Sequence, residues 1–183
     1  YESEIDYLIE VDQPLATKPA VTFTDETRAI GDRISSQIDD GSTLQLGIGA
    51  IPDSVLTTLA NRKGMRIWTE MFSDGVLGMH QAGALDADIP ITASFVFGSQ
   101  ELYDWLHLNR SVRMLRTEKT NDPGQIARQA KMTSINSALQ IDLFDQASLA
   151  DAGGRAGGIT RADSDHAVDG LVLLQRGLDS LCY

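Results

Sequence analysis

Apolar residues along this chain recur in two rhythms that take turns. Ile30, Ile34 and Ile38 fall at helical spacing, and Thr24-Asp25-Glu26 ahead of them reads as a capped, acid-rich helix start. Asp39-Asp40-Gly41 stops that helix, and Thr43 to Leu46 is a short apolar strand running into Gly47. Pro52 or Asp53 opens a second helix that buries Val55, Leu56 and Leu59. Met65 to Trp68 reads as a strand, and Val76 to Ala82 as a third helix ending near Gly83. Ile89 to Phe97 is rich in β-branched and aromatic residues and reads as one buried strand, despite Pro90 near its start. Gln100 to Leu108 is predicted helical, with Leu102, Trp105, Leu106 and Leu108 inward. A strand over Val112 to Leu115 follows, then a helix from Asp122-Pro123 through Ile126 to Ala130. Met132 to Ile135 and Leu139 to Leu143 are two short strand candidates.

Strand and helix alternate almost throughout, which predicts an α/β domain: a mostly parallel open sheet flanked by helices. In such sheets ligands bind beyond the carboxyl ends of the strands. Gly47 and Glu70 both fall where strands are expected to end, so both are placed to face one crevice. The flanks differ. Residues 1–24 read as a linker or the end of a preceding domain, with Tyr7 to Val11 a strand candidate broken by Pro14 and Pro19. Tyr1 in place of Met implies a chain that begins inside a longer protein. Residues 151–183 form a divergent tail: a glycine-rich stretch around Gly153-Gly154 and Gly157-Gly158, a polar run, and an apolar run at Leu171 to Leu174.

Composition narrows the function. The chain has 183 residues, 42% hydrophobic and 22% charged, enough for one domain with a real core. Its net charge of -11 argues against nucleic-acid binding, which needs a basic footprint. An anionic ligand remains compatible, because backbone amides and local basic residues bind anions inside an acidic protein. Arg110, Arg113, Arg116, Lys119, Arg128 and Lys131 concentrate positive charge in one stretch; they are either solvated or paired, or one or two meet phosphates. No stretch is apolar enough to span a bilayer, and the single Cys182 allows no internal disulfide, which suits a cytoplasmic location. His80, His107 and His166 show no metal-ligand spacing, so no metal site is expected. There is no Gly-x-Ser-x-Gly elbow and no Walker loop.

Two constellations carry chemistry. In Leu46-Gly47-Ile48-Gly49-Ala50-Ile51-Pro52 the first two glycines fit a dinucleotide fingerprint, but Pro52 stands where the third should be. The loop is either a tight strand-to-helix turn or a set of amides that approach a ligand or an oxyanion. Glu70, in Thr69-Glu70-Met71-Phe72-Ser73-Asp74-Gly75, is either a solvated charge or a nucleophile; its apolar surroundings disfavour full solvation. A carboxylate attacking a thioester gives an acyl-glutamyl anhydride, with loop amides stabilising the oxyanion. Asn121, before Asp122-Pro123, is either a helix-start residue or an amide donor to a substrate carbonyl. Asn136 divides in the same way between turn bonding and function.

These segments, with Ser94–Asp104 and Met132–Asp142, resemble in order and spacing the acetyl-CoA hydrolase/transferase family, which includes the acetate- and 4-hydroxybutyrate-type CoA-transferases. The resemblance runs from about Glu4 to about Ala150 and covers the C-terminal half of that family's usual chain. It implies a CoA-transferase fold of the NagB/RpiA-like type, with residues 25–150 as the C-terminal catalytic domain and a first domain expected elsewhere. It implies that Glu70 is the catalytic glutamate, passing through an anhydride and then a glutamyl-CoA thioester. It also implies that Gly47, Ile48, Gly49, Ala50 and Ile51 form the CoA-binding loop and that Asn121 sits near the reacting carbonyl. No metal and no cofactor beyond coenzyme A as substrate are implied; the partners are an acyl-CoA and a small carboxylate such as acetate. A homo-oligomer or a completing N-terminal domain is expected. Two alternatives stay open: acyl-CoA hydrolysis through the same glutamate, and an inactive CoA-binding or structural fragment. The family's Gly-Gly-Gln-x-Asp-Phe segment is replaced here by Ala156 to Asp163, so its contacts do not carry over.

Overall fold

A computed structural model describes residues 5–19, 21–47, 49–138, 140–141, 147–148 and 171–176, with side-chain surroundings given through Asn136. Helix α1 spans Asp25–Ser35 and begins as the sequence predicts, the Thr24 hydroxyl accepting the Thr27 amide at 3.2 Å. A backbone amide and the Thr24 side chain hold the Glu26 carboxyl below its ordinary value. Strand β1 (Thr43–Leu46) feeds the glycine loop, and α2 (Ala50–Leu59) starts earlier than expected. The reason is Gly49: its φ of 134°, which L side chains rarely adopt, turns the chain directly into the helix. Pro52 then lies in the first turn, where a missing N–H costs nothing.

Strands β2 (Arg66–Ile67) and β3 (Met71–Phe72) flank Glu70, and α3 (Asp74–Gln81) follows. The single strand expected over Ile89 to Phe97 is two: β4 (Ile91–Ala93) and β5 (Phe95–Val96). The break is at Ser94, where the Glu70 carbonyl accepts the amides of both Ser94 (2.8 Å) and Phe95 (3.1 Å). The chain then changes neighbours: β4 pairs with β6 (Val112–Met114), and β5 pairs with β3. Phe95 and Phe97 are exposed as a result. Helix α4 (Gln100–Leu106) stops short of Leu108, which takes a φ of 51° and points into solvent. The helix expected to reach Ala130 is a single turn, α6 (Pro123–Ile126), preceded by another, α5 (Thr117–Thr120), that periodicity did not predict. Strand β7 (Met132–Ala138) is longer than expected. Of the candidate at Leu139 to Leu143, only Gln140–Ile141 is described; it forms β8, paired with β9 (Ala147–Ser148). The apolar run in the tail forms β10 (Leu171–Arg176).

The fold is α/β, as predicted. Four strands lie in the order β10-β7-β1-β2, with β1 parallel to both β2 and β7 and β10 antiparallel to β7. A parallel bridge from Trp68 to Thr92 sets β4, and with it β6, beyond β2. Connections from β1 run to one side through β2, β4 and β6, and the chain returns to β1's other side as β7. That reversal makes the β1–β7 boundary a switch point, where a crevice opens beyond the strand ends.

Alternation assigns the two faces of the sheet. Leu44, Leu46, Met65, Ile67, Ile91, Ala93 and Ile135 point into one buried core with Ile34, Ile38, Val55, Leu56, Leu59, Val76 and Met79 of the helical layer. Gly31 is what lets α1 approach α2: a Cβ there would lie 2.6 Å from Ser54 Oγ, which instead donates to the Thr27 carbonyl at 3.1 Å. The opposite face carries Thr43, Gln45, Trp68, Thr92, Ser134 and Asn136. Residues 117–131 cover part of it, with the Ala130 carbonyl accepting from both the amide (3.1 Å) and hydroxyl (2.8 Å) of Thr43.

Tyr7 to Val11 forms no strand. Those residues are almost fully exposed and no described strand edge pairs with them, and an unpaired strand has nothing to hold it. The segment after them is anchored. Lys18 donates from its amide to the Gly98 carbonyl at 2.9 Å and from Nζ to Asp53 at 3.0 Å, and the Tyr103 hydroxyl donates to the Ala16 carbonyl at 2.8 Å.

Candidate active site

The parallel register brings the two predicted segments to one level. Leu44 pairs with Ile67 and Leu46 with Ile135, so Gly47 and Glu70 follow the ends of adjacent parallel strands, level with Asn136 of β7. The β1–β2 ladder ends at Leu44, whereas the β1–β7 ladder continues to Leu46. Where β1 and β2 part, a side chain takes over: the Leu46 amide donates to Thr69 Oγ1 at 3.1 Å, and Thr69 Oγ1 donates to the Met71 carbonyl at 3.0 Å. Glu70 emerges at this point on the polar face, half-buried.

One Glu70 oxygen is held. Asn121 Nδ2 donates to Glu70 Oε2 at 2.7 Å, a short bond of the charge-assisted kind. Asn121 closes α5 rather than opening the next helix; Asp122 caps α6, accepting the Gln125 amide at 2.8 Å. The helix start at Asp122-Pro123 is where the sequence placed it; of the two readings of Asn121, a helix-start residue and an amide donor to a substrate carbonyl, the first does not hold. In the structure that amide donates to the glutamate itself. Among the described residues no hydrogen bond engages Glu70 Oε1.

The loop is built for close approach. Gly47 donates its amide to the Ile135 carbonyl at 2.8 Å, and a Cβ on it would lie 2.8 Å from Asn136 Oδ1. Gly49 has open space around it and caps α2 with no side-chain bond, so the first-turn amides of Ala50 and Ile51 face the helix's N-terminal end. Ile48 lies outside the described residues, as do His166, Cys182 and Ala156 to Asp163. Asn136 Nδ2 donates to Ser134 Oγ at 2.7 Å and to Gln45 Oε1 at 3.2 Å, and Ser134 Oγ also donates to Gln45 Oε1. This amide-hydroxyl cluster backs the loop across the β1–β7 boundary.

Several positioning groups escaped the sequence reading. Asp53, in the first turn of α2, accepts from Lys18 and from Ser73 Oγ at 2.6 Å, tying the helix after the glycine loop to the turn after Glu70. Asp74 accepts the amide and hydroxyl of Ser99, which in turn caps α4. These bonds span 20 or more residues, and no local pattern announces them. Of the basic residues in the 110–131 stretch, Arg116 pairs with Glu118 at 2.8 Å, Lys131 Nζ donates to the Asp40 carbonyl at 2.9 Å, and Arg113 donates to Thr92 at 3.3 Å. Among the described residues no cluster of potential ligands could hold a metal ion, and no helix is long and apolar enough to cross a membrane.

Known proteins resemble this chain in sequence and in fold. The acetyl-CoA hydrolase/transferase C-terminal domain matches residues 98–161. A 4-hydroxybutyrate coenzyme A transferase of Clostridium kluyveri is 40% identical over 150 residues, 79% of this chain and 35% of that protein. The crystal structure of a 4-hydroxybutyrate CoA-transferase from Porphyromonas gingivalis superposes with a TM-score of 0.69 at 40% identity, covering 76% of this chain and 37% of that one. RipA from Yersinia pestis superposes at 0.74 with 30% identity, covering 79% and 35%. Relatives named acetyl-CoA hydrolase match at 26%. The chain spans about a third of the length of the curated relatives it matches. By sequence and by fold, the chain belongs to the acetyl-CoA hydrolase/transferase family and carries a C-terminal portion of it.

Proposed function

We propose that this chain carries the catalytic glutamate of an acyl-CoA:carboxylate CoA-transferase. The observation that supports it most directly is Glu70 at the parallel strand ends, half-buried, with one oxygen held by Asn121 and the other without a described partner. In this reading Glu70 Oε1 attacks the thioester carbonyl carbon. The C–S bond breaks, CoA thiolate leaves, and an acyl-glutamyl anhydride remains. The thiolate then attacks the side-chain carbonyl carbon of Glu70 (Cδ) in the anhydride, releasing the donor acid as its carboxylate and leaving a glutamyl-CoA thioester. An acceptor carboxylate reverses the two steps, forming a new acyl-CoA and restoring Glu70. Gly47, Ile48, Gly49, Ala50 and Ile51 bind CoA and supply amide donors to the oxyanion, each such donor worth several kcal/mol of barrier. Asn121 shifts from Glu70 Oε2 to the reacting carbonyl as charge moves there. No metal enters these steps, and coenzyme A enters as substrate.

The acceptor is acetate or a similar small carboxylate, the site is completed by an N-terminal domain or a second subunit, and the location is cytoplasmic. Hydrolysis is the same-site alternative, with water intercepting the glutamyl thioester; the family's own description includes it. The higher identity to transferases favours transfer. The test is intact-protein mass spectrometry after incubation with acetyl-CoA. A CoA-sized adduct that is absent in Glu70→Ala and discharged by acetate into acetyl-CoA is expected. Discharge by water alone, giving free CoA whether or not acetate is present, would favour the hydrolase. An adduct that persists in Glu70→Ala would overturn the role of Glu70.

A further inference from the structure

The Asn121–Glu70 bond depends on where residue 120 is held, and that residue is gripped from two separate segments. Trp68, buried on the polar face of the sheet, donates its indole Nε1–H to the Thr120 carbonyl at 2.8 Å. Thr120 is itself 1% exposed, so its carbonyl has no access to water and depends on the indole. The Thr120 hydroxyl donates to the Thr117 carbonyl at 3.1 Å, which makes Ser94 Oγ the donor in the 2.5 Å contact between the two hydroxyls. Ser94 is also the residue whose amide, with that of Phe95, holds the Glu70 carbonyl. The backbone of the glutamate and the residue beside its amide partner are thus fixed to the same serine. Trp68 and Glu70 are two residues apart on the segment between β2 and β3, so the indole sets the height of Thr120 from the same stretch of chain that carries the glutamate.

We propose that Trp68 and Ser94 are positioning residues: they clamp Thr120 and, through it, aim the Asn121 amide at one oxygen of Glu70, so that the other is presented for attack. The inference rests on the nucleophilic role proposed above for Glu70. A single turn such as α5 has little stability of its own, and the clamp replaces what a longer helix would provide. Neither Trp68 nor Ser94 needs to touch substrate for this.

The test uses the full 183-residue chain with Trp68→Phe, Ser94→Ala, Thr120→Val and Thr120→Ser, and with Trp105→Phe as a control. Trp105 contacts His80 (ring centroids 5.0 Å apart) and has no part in the clamp. Two readouts are taken. The first is the rate of CoA adduct formation from acetyl-CoA. Trp68→Phe, Ser94→Ala and Thr120→Val should slow it about 10- to 100-fold, with the acetyl-CoA concentration at half-maximal rate little changed. Thr120→Ser, which keeps the hydroxyl, and Trp105→Phe should match the parent. The second is the nitrogen-15 NMR signal of the Asn121 side-chain amide, assigned by its loss in Asn121→Ala. Slow hydrogen exchange in the parent and fast exchange in Trp68→Phe, with a native fold by circular dichroism, is the expected result. Parent-like adduct rates in Trp68→Phe and Ser94→Ala, or an Asn121 amide that exchanges equally in parent and variants, overturns the proposal. If the parent forms no adduct without the domain or subunit that completes the site, the amide exchange decides the clamp by itself.

Discussion

The two faces of the central sheet are made from the same strands and do opposite work. On one face Leu44, Leu46, Ile67, Ile91 and Ile135 are sealed under helices, with little choice of residue beyond size and shape. On the other, their immediate neighbours Gln45, Trp68, Thr92, Ser134 and Asn136 are joined by directional bonds among themselves, to Arg113 and to Thr120. Burial on the first face is non-directional and holds the strands together. Bonds on the second are directional and hold individual atoms in place. Because strand residues alternate, the packing that fixes the register also fixes which oxygen, amide or hydroxyl reaches the crevice.

This division predicts that stability and chemistry separate by face. Glu70→Gln should lower turnover by about 10⁴-fold or more, as expected for loss of a nucleophile, while its thermal melt stays at the parent value. A coupled assay and a melting curve on the same sample check both halves. Leu59→Ala does the reverse. Leu59 is fully buried at the far end of α2, and truncation should cost about 2–5 kcal/mol in denaturant unfolding while adduct formation per folded molecule is unchanged. Gly47→Ala lies where the faces meet, since its methyl would land 2.8 Å from Asn136 Oδ1. It should lose about 1–3 kcal/mol of stability and, in calorimetry, bind CoA about tenfold more weakly. If only one of the two falls, the loop and the core are less coupled than the geometry requires. Thr24→Ala removes the cap of α1 on the outer layer; a loss of about 1 kcal/mol with unchanged adduct formation is expected from chemical denaturation.

Much of the helical layer and the site's two strand ends were legible in the sequence, because each is encoded locally. Thr24 announces its cap, Ile30 and Ile34 announce a buried face, and an apolar run that ends in glycine or in an isolated glutamate marks the end of a strand. What escaped was non-local. Nothing around Ser94 shows that the backbone carbonyl of Glu70 will take two amides there and split the predicted strand. Nothing around Asn121 shows that its amide will meet a carboxylate 51 residues earlier, or that Trp68 will fix its neighbour. Tyr7 to Val11 shows the opposite error: strand-like composition without a partner edge leaves an exposed segment.

The order of the strands carries a consequence for biosynthesis. β1 is made early, and one of its edges is covered by β2 soon afterwards. Its other edge waits for β7; Gln45 and Ser134, which meet across that boundary, are 89 residues apart. At about 5–20 residues per second of translation, the strand that leads into the glycine loop keeps one edge unpaired for roughly 5–20 seconds on the ribosome. The crevice is finished only when that late strand docks, so a nascent chain holds its glutamate well before it holds a site, and whatever protects open sheet edges during synthesis has that interval to cover.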